Sequence, residues 1–186
     1  ATLVAMTRFA GQVPSRGRTI ELHFPAAARV GAMSWSTAYV TGAGSGIGLR
    51  LAEILAARGV SLALFDLRFS AQVRERLARL SPGCVFHEVD VRDADALARA
   101  VGAATVAVGP PELAINSAGV QRNRTFLEQS AADFDLVVDV NLRGTRNFAA
   151  AVAIALENAQ LFASELRYAD TMETLAEIGR EFAATL

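Results

Sequence analysis

The stretch "TAYVTGAGSGIGLRLAEILAARG", residues 37–59, decides the fold. Its first five residues form an apolar run of the kind found in buried strands. Four glycines follow, and behind them apolar residues recur at helical spacing, at Ile47, Leu51, Ile54 and Leu55. The stretch therefore predicts a strand, a glycine-rich turn and an amphipathic helix. Such a turn gathers free backbone amides at the positive end of a helix dipole, which favours a phosphate group.

Short apolar runs alternate with helical stretches in the part of the chain that follows. Further strands are predicted at 61–66, 84–91 and 112–119, and further helices at 71–80 and 93–109. Strands that alternate with helices of this length form βαβ units, which give a parallel sheet covered on both faces. We therefore predict an α/β fold with a Rossmann-like, doubly wound parallel sheet of about four strands.

The chain divides into three predicted regions. Residues 1–33 are expected to be a poorly ordered extension, residues 34–155 a dinucleotide-binding domain, and residues 156–186 a helical tail. An arginine bias in the first region also allows the alternative of an organelle-targeting peptide. A long helix is predicted to begin at Ser130, with its buried stripe at Phe134, Val138, Asn141, Thr145, Phe148 and Val152.

Composition narrows the class of partner. The formal net charge is −1 and the sequence contains no run of like charges, so we expect neither nucleic-acid binding nor a polybasic membrane patch. Apolar stretches fall short of the roughly 20 residues that cross a bilayer. The single cysteine, Cys84, excludes an internal disulfide and a multi-cysteine metal cluster. We predict a cytoplasmic protein that binds a small molecule and holds no metal.

Asp66 ends the second predicted strand, about 20 residues beyond the glycine turn, where dinucleotide-binding folds carry an acid. A carboxylate there accepts hydrogen bonds from the adenosine ribose hydroxyls and repels a 2′-phosphate. The position therefore favours NAD over NADP, although the nearby Arg68 weakens that preference. The alternative is that Asp66 is an ordinary acid in a surface turn.

Several dispersed motifs match one known family. In chain order they are "TGAGSGIG" (41–48), Asp66, "DV" (90–91), "NSAG" (116–119) and Asn141. Their order and spacing resemble the short-chain dehydrogenase/reductase family of NAD(P)-dependent oxidoreductases, and the resemblance covers residues 36–155. The last tetrapeptide departs from the doubled asparagine usual in the family, because Ser117 takes the second place.

The resemblance implies which residues contact the cofactor. Those that would shape the pyrophosphate turn are Gly42, Gly46 and Gly48, and those that would contact phosphate or the adjacent ribose are Ser45 and Ile47. Asp66 would hold the adenosine ribose. The residues beside adenine would be Asp90 and Val91, and those supporting or lining the nicotinamide side would be Asn116, Ala118 and Gly119.

The family's reaction needs a tyrosine, a lysine four residues later, a serine and an asparagine. The lysine matters because a phenol with a pKa near 10 is a poor base at neutral pH without a neighbouring cation. All 18 basic residues of this sequence are arginine, so the tyrosine–lysine pair is absent from it. The family's serine-bearing fifth strand is not predicted either. Asn141 is the only candidate catalytic residue.

Three interpretations follow. The chain is either a truncated cofactor-binding half that is inactive alone, a non-catalytic nucleotide-binding module that acts through a partner, or a dehydrogenase with an unrecognised proton donor. We favour the first. If the sheet ends at strand 113–116, that strand is an apolar edge able to pair with another chain. We therefore also expect homo-oligomers through this edge or through the helical tail.

Overall fold

The computed structural model describes residues 2–5, 35–125 and 127–184, and it has the predicted α/β architecture. The strands are β1 (Thr2–Ala5), β2 (Thr37–Thr41), β3 (Ser61–Asp66), β4 (Val85–Glu88) and β5 (Leu113–Asn116). The helices are α1 (Gly46–Ala56), α2 (Ala71–Leu80), α3 (Ala94–Val108), α4 (Ala131–Val138) and α5 (Gly144–Ala184).

All strands of the sheet are parallel, in the order β1-β5-β2-β3-β4. The chain builds the sheet outward from β2 through β3 to β4, and then crosses back to place β5 on the other side of β2. Ligands of open α/β sheets bind at such a reversal, outside the carboxyl ends of the strands. Thr41 and Asn116, which end β2 and β5, are register partners at this point.

The sheet is buried on both faces, as predicted. Alternate residues of β2 point in opposite directions, because side chains of a strand alternate between the faces of its sheet. Val40 packs with Leu55 of α1 and Leu77 of α2 on one face, and Tyr39 packs with Phe148 of α5 on the other. The two resulting cores confirm the doubly wound arrangement.

An additional strand, β1, closes the edge that we expected to be free. It pairs in parallel with β5, from Thr2 beside Leu113 to Ala5 beside Asn116. Sequence patterns did not predict it, because the four-residue segment TLVA is too short to give a periodic signal. The expectation of an uncovered β5 edge was therefore wrong. The rest of the predicted extension, residues 6–33, lies outside the described residues.

The helix that begins at Ser130 is interrupted. Its start is confirmed, because Ser130 and Asp133 form a reciprocal capping box. A π-helical turn, Asp139–Arg143, then separates α4 from α5. The wider turn rotates the face of α4 relative to that of α5. Phe134 is therefore 58% exposed and not on the buried stripe as predicted, whereas Phe148 is fully buried.

The predicted tail forms the greater part of α5, which continues without a break to Ala184. Its side chains are exposed from Leu161 to Thr174. Among the described helices, this long one included, none combines the length and apolar character that a membrane crossing requires. The tail therefore projects from the sheet as a solvent-facing helix over that stretch.

Removal of residues 1–5 tests the role of β1. Without β1 the backbone groups along one side of β5 lose their partners, and an apolar strand edge of this kind pairs with other chains. The shortened chain should sediment as concentration-dependent oligomers. A chain in which residues 11–15 are replaced by glycine and serine keeps β1 and serves as the control. Identical sedimentation of the shortened and control chains would contradict the assignment.

The pH dependence of stability tests the packing of His87 on the sheet face that α3 and α5 cover. Its ring stacks on Phe65 with centroids 5.2 Å apart, and its buried Nε2 has no hydrogen-bond partner among the described residues. Burial lowers the pKa of His87, so folding favours the neutral ring. Below a pH of about 6.5 the unfolded histidine takes up a proton. The free energy of unfolding should therefore decrease as the pH is lowered through this range.

The variant His87→Phe should lose that component of the pH dependence, because phenylalanine stacks without a titrating nitrogen. Urea unfolding of the parent and the variant between neutral and mildly acidic pH gives the difference directly. The parent should lose stability relative to the variant as the pH is lowered. A constant difference across this range would contradict the structural assignment of His87.

Candidate functional site

A cleft of about 340 Å³ opens at the carboxyl ends of β2 and β5. It lies at the reversal of strand order, where α/β sheets bind ligands. The structure brings most of the predicted cofactor residues to its walls, namely Gly42, Ser45, Ile47, Asp66, Asp90, Val91, Ala118 and Gly119. The other predicted residues, Gly46, Gly48, Asn116 and Asn141, are not among its lining residues.

The glycine turn packs directly against the segment that follows β5. Gly42 has a φ of +66°, and a Cβ built on it would lie 2.7 Å from the Ala118 nitrogen and from the Ser117 carbonyl oxygen. A Cβ on Gly48 would lie 2.2 Å from the Gly42 carbonyl oxygen. Neither position has room for a side chain, so the backbone itself forms this wall of the cleft.

The first turn of α1 is available to an anion. Ser45 is its N-cap, but the Ser45 side chain forms no capping hydrogen bond within the described chain, and the turn carries no acidic residue. Gly46 adopts a φ of +56°, and Ile47 is 46% exposed. Helix N-termini with free amides attract negative charge. The first turn of α1 contains no carboxylate that would repel an anion there.

Asp66 lines the cleft and also fixes the glycine turn. Its Oδ2 atom accepts a hydrogen bond of 2.8 Å from the Gly44 backbone N–H. Gly44 has no room for a side chain, because a Cβ there would lie 2.6 Å from the Arg68 carbonyl oxygen and 3.0 Å from Asp66 Oδ2. The acid is therefore part of the turn's structure as well as a wall of the cleft.

Asn116 connects the elements that form the base of the cleft. The Thr41 hydroxyl donates to Asn116 Oδ1 over 2.7 Å and accepts hydrogen bonds from the N–H groups of Ser117 and Ala118. The Asn116 Nδ2 group donates to the Thr145 hydroxyl over 2.8 Å. Asn116 is buried, and its amide joins β2, β5 and α5 at the base of the cleft. Sequence reasoning placed Thr145 on the buried stripe and Thr41 inside the glycine motif, but it gave neither threonine a role in the site.

Asn141 holds the loop beyond β5. Its Oδ1 accepts from the Val120 N–H over 2.8 Å, and its Nδ2 donates to the Val120 carbonyl over 2.9 Å. Both ends of the amide are thus used to position Val120, which lines the cleft. Asn141 lies at the centre of the π-helical turn, Asp139–Arg143. The catalytic role predicted for it stays a prediction.

The wall formed by Asp90 and Val91 is held by two residues that sequence reasoning missed. The Arg92 guanidinium hydrogen-bonds Asp90, and this contact lowers the pKa of the Asp90 carboxyl. Asn147 is buried and donates to the Val91 carbonyl over 3.0 Å. The sequence did contain a signal for Asn147. It is a lone side-chain amide beside the apolar residues near the start of α5, and a buried amide needs a hydrogen-bond partner.

Comparison with known proteins agrees with this fold. The family model for short chain dehydrogenases matches residues 36–161. The oxidoreductase UcpA of Salmonella typhimurium is 33% identical over 124 residues, which are 66% of this chain and 47% of UcpA. The short-chain reductase protein NovJ of Streptomyces niveus is 37% identical over 125 residues, which are 63% of this chain and 45% of NovJ.

Solved structures show the same relationship. A 3-oxoacyl-[acyl-carrier protein] reductase from Brucella melitensis, solved in complex with NAD, aligns with a TM-score of 0.62 and 34% identity, over 68% of this chain and 51% of the reductase. The fold and cleft are those of a Rossmann-like α/β domain. The chain belongs to the short-chain dehydrogenase/reductase family. It spans about half the length of the curated relatives that it matches.

Two glycines in helices provide a matched test of the close-packed turn. Gly48→Ala should lower the free energy of unfolding by about 1–3 kcal/mol, as overpacking usually does. Gly102 lies inside α3 with nothing within 4 Å of its built Cβ. Gly102→Ala should therefore raise stability by about 0.5–1 kcal/mol, because alanine is the better helix former. Urea unfolding gives the change in the free energy of unfolding for each variant. Equal changes in the two variants would contradict the close packing at Gly48.

Proposed function

We propose that residues 36–161 form the dinucleotide-binding half of a short-chain dehydrogenase/reductase, that they bind NAD, and that these 186 residues alone do not catalyse hydride transfer. The observation that carries the binding proposal is the cleft itself. It joins the glycine turn, Asp66 and the segment after β5 at one end of the sheet. The NAD named with the Brucella melitensis structure supports the same class of cofactor.

The residues present suit a dinucleotide. Gly42 and Gly48 carry no side chains, and the amides of the first turn of α1 are free. Backbone donors are therefore available to the pyrophosphate. Asp66 would hold the adenosine ribose, and the wall at Asp90 and Val91 would contact adenine. The nicotinamide side would lie against Ala118 and Gly119. The bound cofactor would supply a nicotinamide that gives or takes a hydride.

We propose a preference for NAD over NADP because of charge at the ribose position. The Asp66 carboxylate would repel a 2′-phosphate there. Arg92 lines the same cleft and is already paired with Asp90 through a contact of 2.5 Å, whereas Arg68, two residues beyond Asp66, weakens the preference. The charge of Arg92 is therefore partly neutralised and offers little to a 2′-phosphate.

The missing step is proton transfer. Hydride transfer to or from a carbonyl carbon needs a group that gives or takes the proton on oxygen. Burial raises the pKa of Tyr39, and its hydroxyl is held by the Gly109 carbonyl at 2.8 Å. Tyr168 is 65% exposed on the projecting part of α5. With no lysine in the sequence, neither phenol has the cation that the family uses to activate it.

A non-catalytic nucleotide-binding module that acts through a partner is the second candidate function. The observation that favours it is a row of exposed apolar side chains on α5. Ile154, Leu161 and Tyr168 recur every seven residues and are 55%, 57% and 65% exposed, with Phe162 and Met172 beside them. A stripe with this spacing suits a helix of a second copy or of another protein. A stable dimer would favour this candidate.

We place the protein in the cytoplasm. The basis is its single cysteine, Cys84, which is free and partly buried. Burial raises the pKa of the Cys84 thiol, so the thiol stays protonated and unreactive at neutral pH. A lone thiol of this kind suits a reducing compartment.

Calorimetric titration with NADH and with NADPH tests the cofactor proposal. NADH should bind saturably and about tenfold or more tightly than NADPH, a difference of about 1.4 kcal/mol. The variant Asp66→Ser should narrow that ratio, because it removes the charge that faces a 2′-phosphate. Asp95→Ser is the matched control, since Asp95 is an exposed acid in the first turn of α3.

Two results would contradict the proposal. Absence of NADH binding would show that the cleft does not hold a dinucleotide. An Asp66→Ser variant with an unchanged ratio would show that Asp66 does not select the cofactor. Formation of NADH from NAD and an alcohol by the purified chain, measured as absorbance of the reduced nicotinamide, would refute the statement that it is inactive alone.

A further inference from the structure

A second cleft lies on the outer surface of the α1–α2 layer. Its volume is about 550 Å³, and it shares no lining residue with the cleft at the carboxyl ends of the strands. Four arginines surround it, at Arg50, Arg58, Arg76 and Arg79. We propose that this arginine cleft binds an oligophosphate anion.

A buried carboxylate organises two of the arginines. Glu53 is only 5% exposed, and its two oxygens contact guanidinium groups from different helices. Arg50 Nη1 lies 3.1 Å from Oε2, and Arg76 Nη2 lies 2.7 Å from Oε1. Since a buried carboxylate must be paired, Glu53 holds both guanidinium groups at the cleft. Each guanidinium has five N–H donors, so most remain available to a ligand.

The arginine cleft carries more positive charge than its neighbouring carboxylates neutralise. Four arginines face two carboxylates, Glu53 and Glu75, which leaves an excess of two positive charges. The whole chain, by contrast, carries a formal charge of −1. Glu53 needs only Arg50 and Arg76, and Arg58 forms no ion pair among the described residues. A local excess of this size attracts an anion with at least two charges.

The type of side chain specifies the type of anion. Guanidinium groups present paired donors that match the oxygens of a phosphate, whereas a single carboxylate ligand would satisfy only one of them. The cleft is also lined by apolar groups, at Ile54, Ala57 and Leu80. The paired arginines Arg50, Arg76 and Arg79 are 70%, 61% and 73% exposed, so a ligand reaches their remaining donors from solvent. Four guanidinium groups around one cleft offer donors to more than one phosphate.

Titration of the full chain with inorganic tripolyphosphate tests the proposal. Binding should be saturable, and the double variant Arg58→Gln/Arg79→Gln should weaken it by about tenfold or more, because charge-assisted hydrogen bonds are lost. The control is Arg99→Gln/Arg146→Gln, which removes the same charge from exposed positions on α3 and α5. Equal weakening by both double variants, or no saturable binding, would overturn the proposal.

The dinucleotide cleft also attracts phosphates, so its contribution must be separated. The titration is repeated with NADH present at saturation, where tripolyphosphate binding should persist. The Arg58→Gln/Arg79→Gln variant should bind NADH as the parent does. Displacement of tripolyphosphate by NADH would assign the binding to the glycine turn and overturn the proposal. The variant comparison stands even if NADH does not bind.

A parallel titration with ATP distinguishes the sources of the phosphates. If ATP binds the arginine cleft more tightly than tripolyphosphate, with the same loss in the Arg58→Gln/Arg79→Gln variant, a nucleotide is the ligand. Equal or weaker binding of ATP, again with that loss, identifies an inorganic oligophosphate. Either result supports a phosphate site formed by these arginines. ATP binding that the variant leaves unchanged would count against it.

Discussion

The close contact between the glycine turn and the segment after β5 is the constraint on which the rest of the structure depends. Gly42 lies against the backbone at Ser117 and Ala118, and the Thr41 hydroxyl bonds the same segment and Asn116. A side chain at Gly42 would separate β2 from the residues that follow β5. The wall of the cleft, the base formed by Asn116 and the entry into α1 all require this approach. One spatial restriction therefore determines both the packing of the fold and the shape of its site.

Sequence reasoning succeeded where the signal was local. The strands β2 to β5 and the helices α1 to α3 follow from apolar periods, glycines and caps such as Asp93. It failed where the outcome depended on distant partners. The strand β1 forms only because β5 offers an edge, and the π-helical turn places Asn141 beside Val120, whose position the sequence does not reveal. Asn147 was missed for the same reason, since its partner at Val91 is far away in the chain.

Binding and reaction make different demands on the sequence. The groups that line the cleft at the carboxyl ends of the strands all lie between Gly42 and Val140. Asn141 and Asn147 act on backbone atoms of this cleft and so belong to its framework. Proton transfer requires a phenol beside a cation, and that pair cannot come from a sequence whose basic residues are all arginine. A well-formed binding domain is therefore compatible with a missing chemical step.

The position of β1 has a consequence for the order in which the molecule folds. Of the described strands, β1 is synthesised first, but its partner β5 follows only after β2, β3 and β4. Pairing between such distant residues closes a long loop, which is slow relative to the formation of the neighbouring βαβ units. Among the described strands, we therefore expect β1 to join the sheet last. Until then β5 presents an open edge, and three of the four residues of that strand, Leu113, Ala114 and Ile115, are apolar.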